Sequence, residues 1–206
     1  MNLTDILHTP ATLLVLLVTI AVSIAGFRNP RLNDALILDM QAILRRREYY
    51  RLLTSGFVHG NPTHLFMNML TLFFLGPPLE LMAGTFGFAI VYFASLLAGS
   101  AWAILEHFRS ASYRALGASG AISGVTVVFA LFAPFASIIV FILPMPAIIF
   151  AVLYIGWSAY AAGRIQDGVG HEAHLGGALM GLVLTCLLWP DAIENLISQV
   201  RHALGA

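Results

Sequence analysis

The sequence predicts an all-α, polytopic membrane protein with six transmembrane helices in a single domain. The first observation is composition. The chain has 206 residues, is 59% hydrophobic and only 10% charged, and has a mean hydropathy of +0.87. A soluble domain carries about 25% charge. The second observation is length. At roughly 20 residues per span, the chain holds about six crossings and little else. The third is that apolar runs alternate with short polar connections, with no internal repeat or low-complexity segment. The domain is expected to cover residues 1–206, with a core over about 50–190 and a short tail at 191–206. Formal net charge is zero, which argues against a nucleic-acid partner, and the lipid bilayer is the expected environment. A single Cys186 in an apolar run excludes a disulfide framework. Residues 1–10 hold one Asp and no Arg, so neither a cleaved signal peptide nor a transit peptide is expected.

The spans follow in order. Span 1, residues 11–27, is apolar and shows no polar stripe, as an anchoring and packing helix would. Residues 29–60 are too polar to cross. Leu36, Ile37, Met40, Ile43 and Leu44 recur at helical spacing, which predicts an amphipathic helix in the interface. Arg45, Arg46, Arg47, Tyr49, Tyr50 and Arg51 suit headgroup depth. Span 2, residues 63–79, starts at Asn61-Pro62-Thr63 and is expected to end at Pro77-Pro78, with Glu80 just beyond it, bonding into the following turn. Span 3, residues 86–105, has no interior charge and is assigned no chemistry.

Span 4 starts at Ser119 and ends near Pro134. At about 1.5 Å per residue it is roughly 24 Å long, shorter than a hydrocarbon core of about 30 Å. It is expected to be the shortest and innermost span. With its far end at the opposite interface, Ser119 lies several ångströms below the near surface, beside a water-filled cavity. Residues 135–146 read as a short link hugging the membrane, punctuated by Pro144 and Pro146. Span 5 covers 147–162. A turn at 163–170 with Arg164 and Asp167 leads to span 6 at 172–189, which Pro190 stops. The tail reads as a short surface helix.

His64 begins span 2, Ser119 begins span 4 and His174 begins span 6. Helices of even number enter from the same side, so three polar groups share one depth and one membrane face. Ser119 sits in Gly117-Ala118-Ser119-Gly120. Its hydroxyl is either an N-cap or a nucleophile beside glycines that admit a substrate backbone and first-turn amides that bind an oxyanion. Gly120-x-x-x-Gly124 and Gly177-x-x-x-Gly181 let spans 4 and 6 approach closely. His174, Gly177 and Gly181 form one stripe, which brings His174 within reach of Ser119 as its base. His64 and Asn68 stand at i and i+4 on one face. They either satisfy one another and neighbouring helices or, with the Ser119 amide, hold an oxyanion. Glu172 lies on the wrong face to orient His174, so a Ser–His dyad is expected rather than a triad. His171, at i−3 from His174, either stands near the site or, the favoured expectation, is solvent-exposed at the helix mouth.

These residues resemble the rhomboid family of intramembrane serine proteases over about 50–181. The family pattern G-x-S-G is present as Gly117 to Gly120, A-H-x-x-G as Ala173 to Gly177, and H-x-x-x-N as His64 and Asn68. The family's common Trp-Arg in the first connection is Tyr50-Arg51 here. The resemblance implies a six-helix rhomboid-like bundle that cleaves transmembrane segments of single-span proteins and needs no cofactor or metal. Ser119 is then the nucleophile and His174 the general base. His64, Asn68 and the backbone at Ala118 and Ser119 form the oxyanion site, with Gly117 beside the substrate. His59 is similar to a family position and is assigned packing and hydrogen bonding.

Two rivals remain. A metal-dependent intramembrane hydrolase would use His171, Glu172 and His174, but a helical zinc site needs H-E-x-x-H. A non-catalytic membrane chaperone or adaptor on the same helices would lack Ser or His, and both are present. Orientation has two conflicting indicators. Nine Arg lie in connections on the active-site side and only Arg201 on the other, which by the positive-inside rule turns the site toward the cytoplasm. The resemblance implies the reverse: a bacterial cytoplasmic membrane, both termini cytoplasmic and the site opening away. The expectation follows the resemblance, because part of the first connection lies in the interface.

Overall fold

The computed structural model describes residues 6–140, 143–162, 164 and 170–203. Among the described residues, three helices are long and apolar enough to cross a membrane: α1 (Pro10–Arg28), α5 (Pro62–His107) and α8 (His171–Leu188). Two shorter apolar helices, α6 (Ser119–Phe132) and α7 (Ala147–Ala161), accompany them. Among the described residues there are also the shorter helices α2 (Pro30–Leu36), α3 (Met40–Arg46) and α4 (Arg51–Thr54), a 3-10 turn at Ser55–Phe57, and α9 (Pro190–Ala203). Strand β1 (Leu38–Asp39) pairs with β2 (Arg114–Ala115), and β3 (Ser137–Val140) with β4 (Leu143–Pro146). This is a mostly helical integral membrane protein.

Span 1 does carry a polar stripe. Thr12, Thr19 and Ser23 of α1 are buried, as is Thr9 before it. Glu80 explains the first of them. It does not lie beyond a helix end but inside α5, where its Oε2 accepts the amide and hydroxyl of Thr12 at 2.7 Å each and its Oε1 accepts the Ala11 amide at 3.1 Å. First-turn amides have no intrahelical acceptor, and a carboxylate is favoured at that positive end.

Pro77-Pro78 does not end the helix either. Both prolines lie inside α5, which breaks instead at Gly84 with φ 76° and ψ 160°. Packing overrides the local signal: Leu75, Gly76, Pro77, Leu79 and Glu80 are buried, and a Cβ on Gly76 would come within 2.6 Å of Thr12 Cγ2. The left-handed φ at Gly84 is what demands glycine there. It divides α5 into arms 62–83 and 85–107, each roughly 33 Å at about 1.5 Å per residue.

The expected single amphipathic helix in the first connection is two short ones. Asn29 caps α2, and Asp39 caps α3 by accepting the Ala42 amide at 2.9 Å. Between them, β1 pairs with β2, so the chain must be extended there. Ile37, Leu38, Met40 and Ile43 are buried in protein, and Leu44 is exposed. Arg51 is not at headgroup depth: it is 4% exposed. Its Nη1 donates to the Asp34 and Ile37 carbonyls at 2.7 and 2.9 Å, and its Nε to Glu48 at 2.6 Å. That bond holds the Glu48 carboxyl below the usual range, with help from Arg46.

Within the link at 135–146, β3 and β4 pair as a two-stranded ribbon. Ile138 pairs with Met145 and Ile139 with Pro144. Prolines lack the N–H a ladder needs, so Pro144 and Pro146 occupy the non-hydrogen-bonded sites, where an amide would otherwise point outward unsatisfied.

Every residue of α6 from Gly120 to Leu131 is buried. The glycine seam forms. A Cβ on Gly181 would stand 2.7 Å from the Gly124 carbonyl oxygen, and one on Gly177 would collide with that of Gly120. On its far side, α9 packs Ile193 and Leu196 against Val127, Leu131 and Ala178.

Candidate active site

The loop before α6 is shaped by Gly117. Its φ is 115°, its amide donates to the Ser55 carbonyl at 2.9 Å, and a Cβ would come within 2.7 Å of His64 Cε1. Only glycine fits both the backbone and the imidazole that lies against it. The next amide, Ala118, donates to His59 Nε2 at 3.4 Å. His59 Nδ1 lies 2.9 Å from Ser23 Oγ, and Ser23 donates to the Phe57 carbonyl at 3.0 Å. One tautomer satisfies all three bonds: Nε2 accepts and Nδ1–H donates. Burial, followed by the neighbouring His64, pushes the His59 pKa down to about 3.

Helix α6 makes its first internal hydrogen bond from Ile122 to the Ala118 carbonyl. The amides of Ser119, Gly120 and Ala121 precede it and have no acceptor within the helix. At the start of α5, Asn61 Oδ1 accepts the His64 amide at 2.8 Å, and Asn68 Nδ2 donates to the His64 carbonyl at 3.0 Å. At the start of α8, the His174 amide donates to the Gly170 carbonyl at 3.1 Å.

A cavity of about 1120 Å³ joins these starts, and its wall includes His64, Asn68, Gly117, Ser119 and His174. Ala118 is fully buried and is not part of the wall. Its amide faces His59 Nε2 at 3.4 Å, and the first-turn amides of α6 follow it.

His171 is not at a solvated mouth. It is 4% exposed, with its ring 5.8 Å from that of His174 and 6.5 Å from that of Trp157. Glu172 is also buried, and its Oε1 lies 3.3 Å from His107 Nε2. His107 stacks on Tyr113 with centroids 3.9 Å apart, and burial together with Glu172 raises the Tyr113 pKa to about 12. Span 3, assigned no chemistry, supplies Ser100 and Ala103 to the cavity wall, and His107 just after it also lines the cavity. Asp167 lies outside the described residues.

Sequence reasoning missed Tyr154. It lies in α7 on the cavity wall, with its ring 5.7 Å from the His174 ring at 27° and its hydroxyl 2.7 Å from Ser123 Oγ. Two signals could have found the pair. A phenol inside an apolar helix needs a hydroxyl partner, and Ser123 is four residues after Ser119, on the same face.

Residues 46–191 match the model of the Rhomboid domain. Over 156 residues the chain is 34% identical to "Rhomboid protein 1, mitochondrial" of Saccharomyces cerevisiae, covering 73% of this chain and 45% of that protein. It is 31% identical over 174 residues to "RHOMBOID-like protein 4" of Arabidopsis thaliana, covering 82% and 41%. A shorter match, 37% over 68 residues, is to "Inactive RHOMBOID-like protein 8" of the same plant, covering 33% and 19%. The matched stretch is less than half the length of each of these relatives. The helices, the loop before α6 and the matched domain together make this chain a member of the rhomboid family.

Proposed function

We propose that this chain is an intramembrane serine endopeptidase that cleaves transmembrane segments of single-span membrane proteins. The observation that carries the reading is the convergence of Ser119, His174, His64 and Asn68, from the starts of three helices, on one cavity. The Ser119 hydroxyl attacks the scissile carbonyl while His174 takes its proton. The oxyanion that forms is held by the Ser119 amide, His64 and Asn68. The intermediate collapses as the carbon–nitrogen bond breaks, and His174 returns the proton to the leaving amine. Water from the cavity then hydrolyses the acyl-enzyme by the same two steps. The scissile bond must arrive as extended backbone, because helical carbonyls are already hydrogen-bonded. Cleavage is therefore assigned near the end of a substrate helix, and the family resemblance adds that the stretch is helix-weakening and carries small residues.

The two arms of α5 are read as separate crossings, which with α1, α6, α7 and α8 makes six in one domain. Both termini then lie on the side away from the site, on the cytoplasmic face in this reading. Arg51 is bound inside the fold and Arg114 pairs with Asp34 at 2.6 Å, so at least these two are structural. A reporter fused to the C-terminus that is active only in the cytoplasm supports this orientation.

The test of function is incubation of reconstituted wild-type protein and Ser119→Ala with a panel of single-span proteins, alongside a fluorophosphonate probe. Cleavage and labelling by wild type alone are expected. Cleavage by Ser119→Ala, or its loss on metal chelation, overturns the serine mechanism. A wild type that binds single-span proteins intact and takes no label is a chaperone or adaptor.

A further inference from the structure

We propose that Tyr154 is the positioning residue of the His174 ring, and that Ser123 ties it to the helix that carries Ser119. The assignment rests on the protease reading above.

Ser123 Oγ stands 2.7 Å from the Ser119 carbonyl oxygen and 2.7 Å from Tyr154 Oη. Each hydroxyl has one proton, and a carbonyl only accepts. Ser123 therefore donates to the Ser119 carbonyl, and Tyr154 must donate to Ser123. The chain has a single polarity: Tyr154 O–H to Ser123 O–H to Ser119 C=O. It ends on the backbone of the nucleophile's own residue. The other end of Tyr154 is its ring, stacked at 5.7 Å and 27° on His174, within the range of an offset aromatic pair. One side chain thus reads the position of the nucleophile's backbone and sets a face of the base.

The rest of α7 shows why the hydroxyl matters. Only Ala147, Ala151, Ser158 and Ala161 of this helix are buried. Ile148 and Ile155 of the same helix pack in part against Val127, Leu131 and Ala178, and these contacts are apolar and carry no hydrogen-bond direction. The Tyr154–Ser123 bond adds a directional contact at the depth of the site. A triad orients its imidazole with a carboxylate; in a dyad the ring needs another restraint, and a phenol clamped at its hydroxyl provides one.

Four variants test this: Tyr154→Phe, Ser123→Ala, their double, and Tyr154→Leu, each assayed for kcat, KM and the pH dependence of kcat. Tyr154→Phe keeps the ring and loses the tether, as does Ser123→Ala. Each should lower kcat about fivefold, the scale of one net hydrogen bond. The double should match either single, because both remove the same bond. Tyr154→Leu also removes the ring. It should lower kcat by about 100-fold, as a base misplaced by ~1 Å does, leave KM near wild type and displace the acid limb of the pH–kcat profile.

Tyr154→Leu with wild-type kcat and pH profile overturns the proposal. So does a double variant whose loss is the product of the singles. If Tyr154→Leu fails to fold, the comparison of the other three still decides. A wild type that neither cleaves nor labels overturns the protease reading instead, and this assignment with it.

Discussion

Thr12 gives both its amide and its hydroxyl to Oε2 of Glu80, each at 2.7 Å. This clasp fastens the start of α1 to the middle of α5 through a buried carboxylate. Glu80→Ala strands those donors and should cost about 3 kcal/mol, at the upper end for a hydrogen bond to a charged group. Thr12→Val removes one hydroxyl and should cost about 1 kcal/mol. Thermal unfolding in detergent measures both.

His59 makes the loop before Ser119 acid-sensitive. Its pKa is about 3 in the folded protein against an ordinary value of 6.5. Above that ordinary value neither state binds the proton. As pH falls from it toward 3, the unfolded chain takes up a proton that the folded chain refuses, so stability declines with acid. A protonated ring would also lose the acceptor that holds the Ala118 amide. Unfolding midpoints of wild type should fall between pH 6.5 and pH 3, and those of His59→Gln should fall less steeply. Equal slopes would show that another group carries the acid sensitivity.

Glycines inside and outside the seam should respond unequally to substitution. A Cβ on Gly181 meets backbone, the Gly124 carbonyl oxygen at 2.7 Å and Cα at 2.9 Å, which cannot rotate away. Gly181→Ala should therefore separate α8 from α6 and lower both stability and turnover. At Gly156 in α7 a Cβ would meet nothing within 4 Å. Gly156→Ala should raise stability by roughly 0.5–1 kcal/mol from helix propensity alone, with turnover unchanged. Steady-state cleavage and thermal unfolding of both variants separate crowding from propensity.

The two proposed oxyanion donors should each matter to turnover without holding the fold together. Asn68→Ala and His64→Ala should lower kcat by about 100-fold or more, the usual cost of one such donor. Wild-type rates for both would make the pair structural, consistent with the bond from Asn68 to the His64 carbonyl.

The dyad should behave as one unit. Ser119→Ala and His174→Ala should each abolish cleavage, and the double should be no worse than either. A double variant far below both singles would mean that one of them retained a working half of the mechanism.

Much of the site could be read in the chain because it depends on helix starts. Asn61-Pro62, the glycine pair around Ser119 and the position of His174 are local signals, and counting spans predicts one face for His64, Ser119 and His174, which line one cavity. Small-residue spacing also told which helices approach. Other features needed three dimensions. Pro77 and Pro78 carry the local chemistry of a helix end, yet α5 runs through them, because a buried Glu80 and the close contact of Gly76 with Thr12 hold that turn in place. Leu36 to Leu44 carry the period of one helix, yet the pairing of β1 with β2 splits it, since a strand partner far along the chain is invisible to a local pattern. Arg51 and His171 looked solvated because their type usually is; their partners come from distant turns of the chain. Tyr154 joined the site the same way. Membrane class, helix starts and reactive residue types were legible in the chain because they follow from composition and local backbone chemistry. Which buried polar atoms face one another was settled only in three dimensions, because that depends on how separate helices pack.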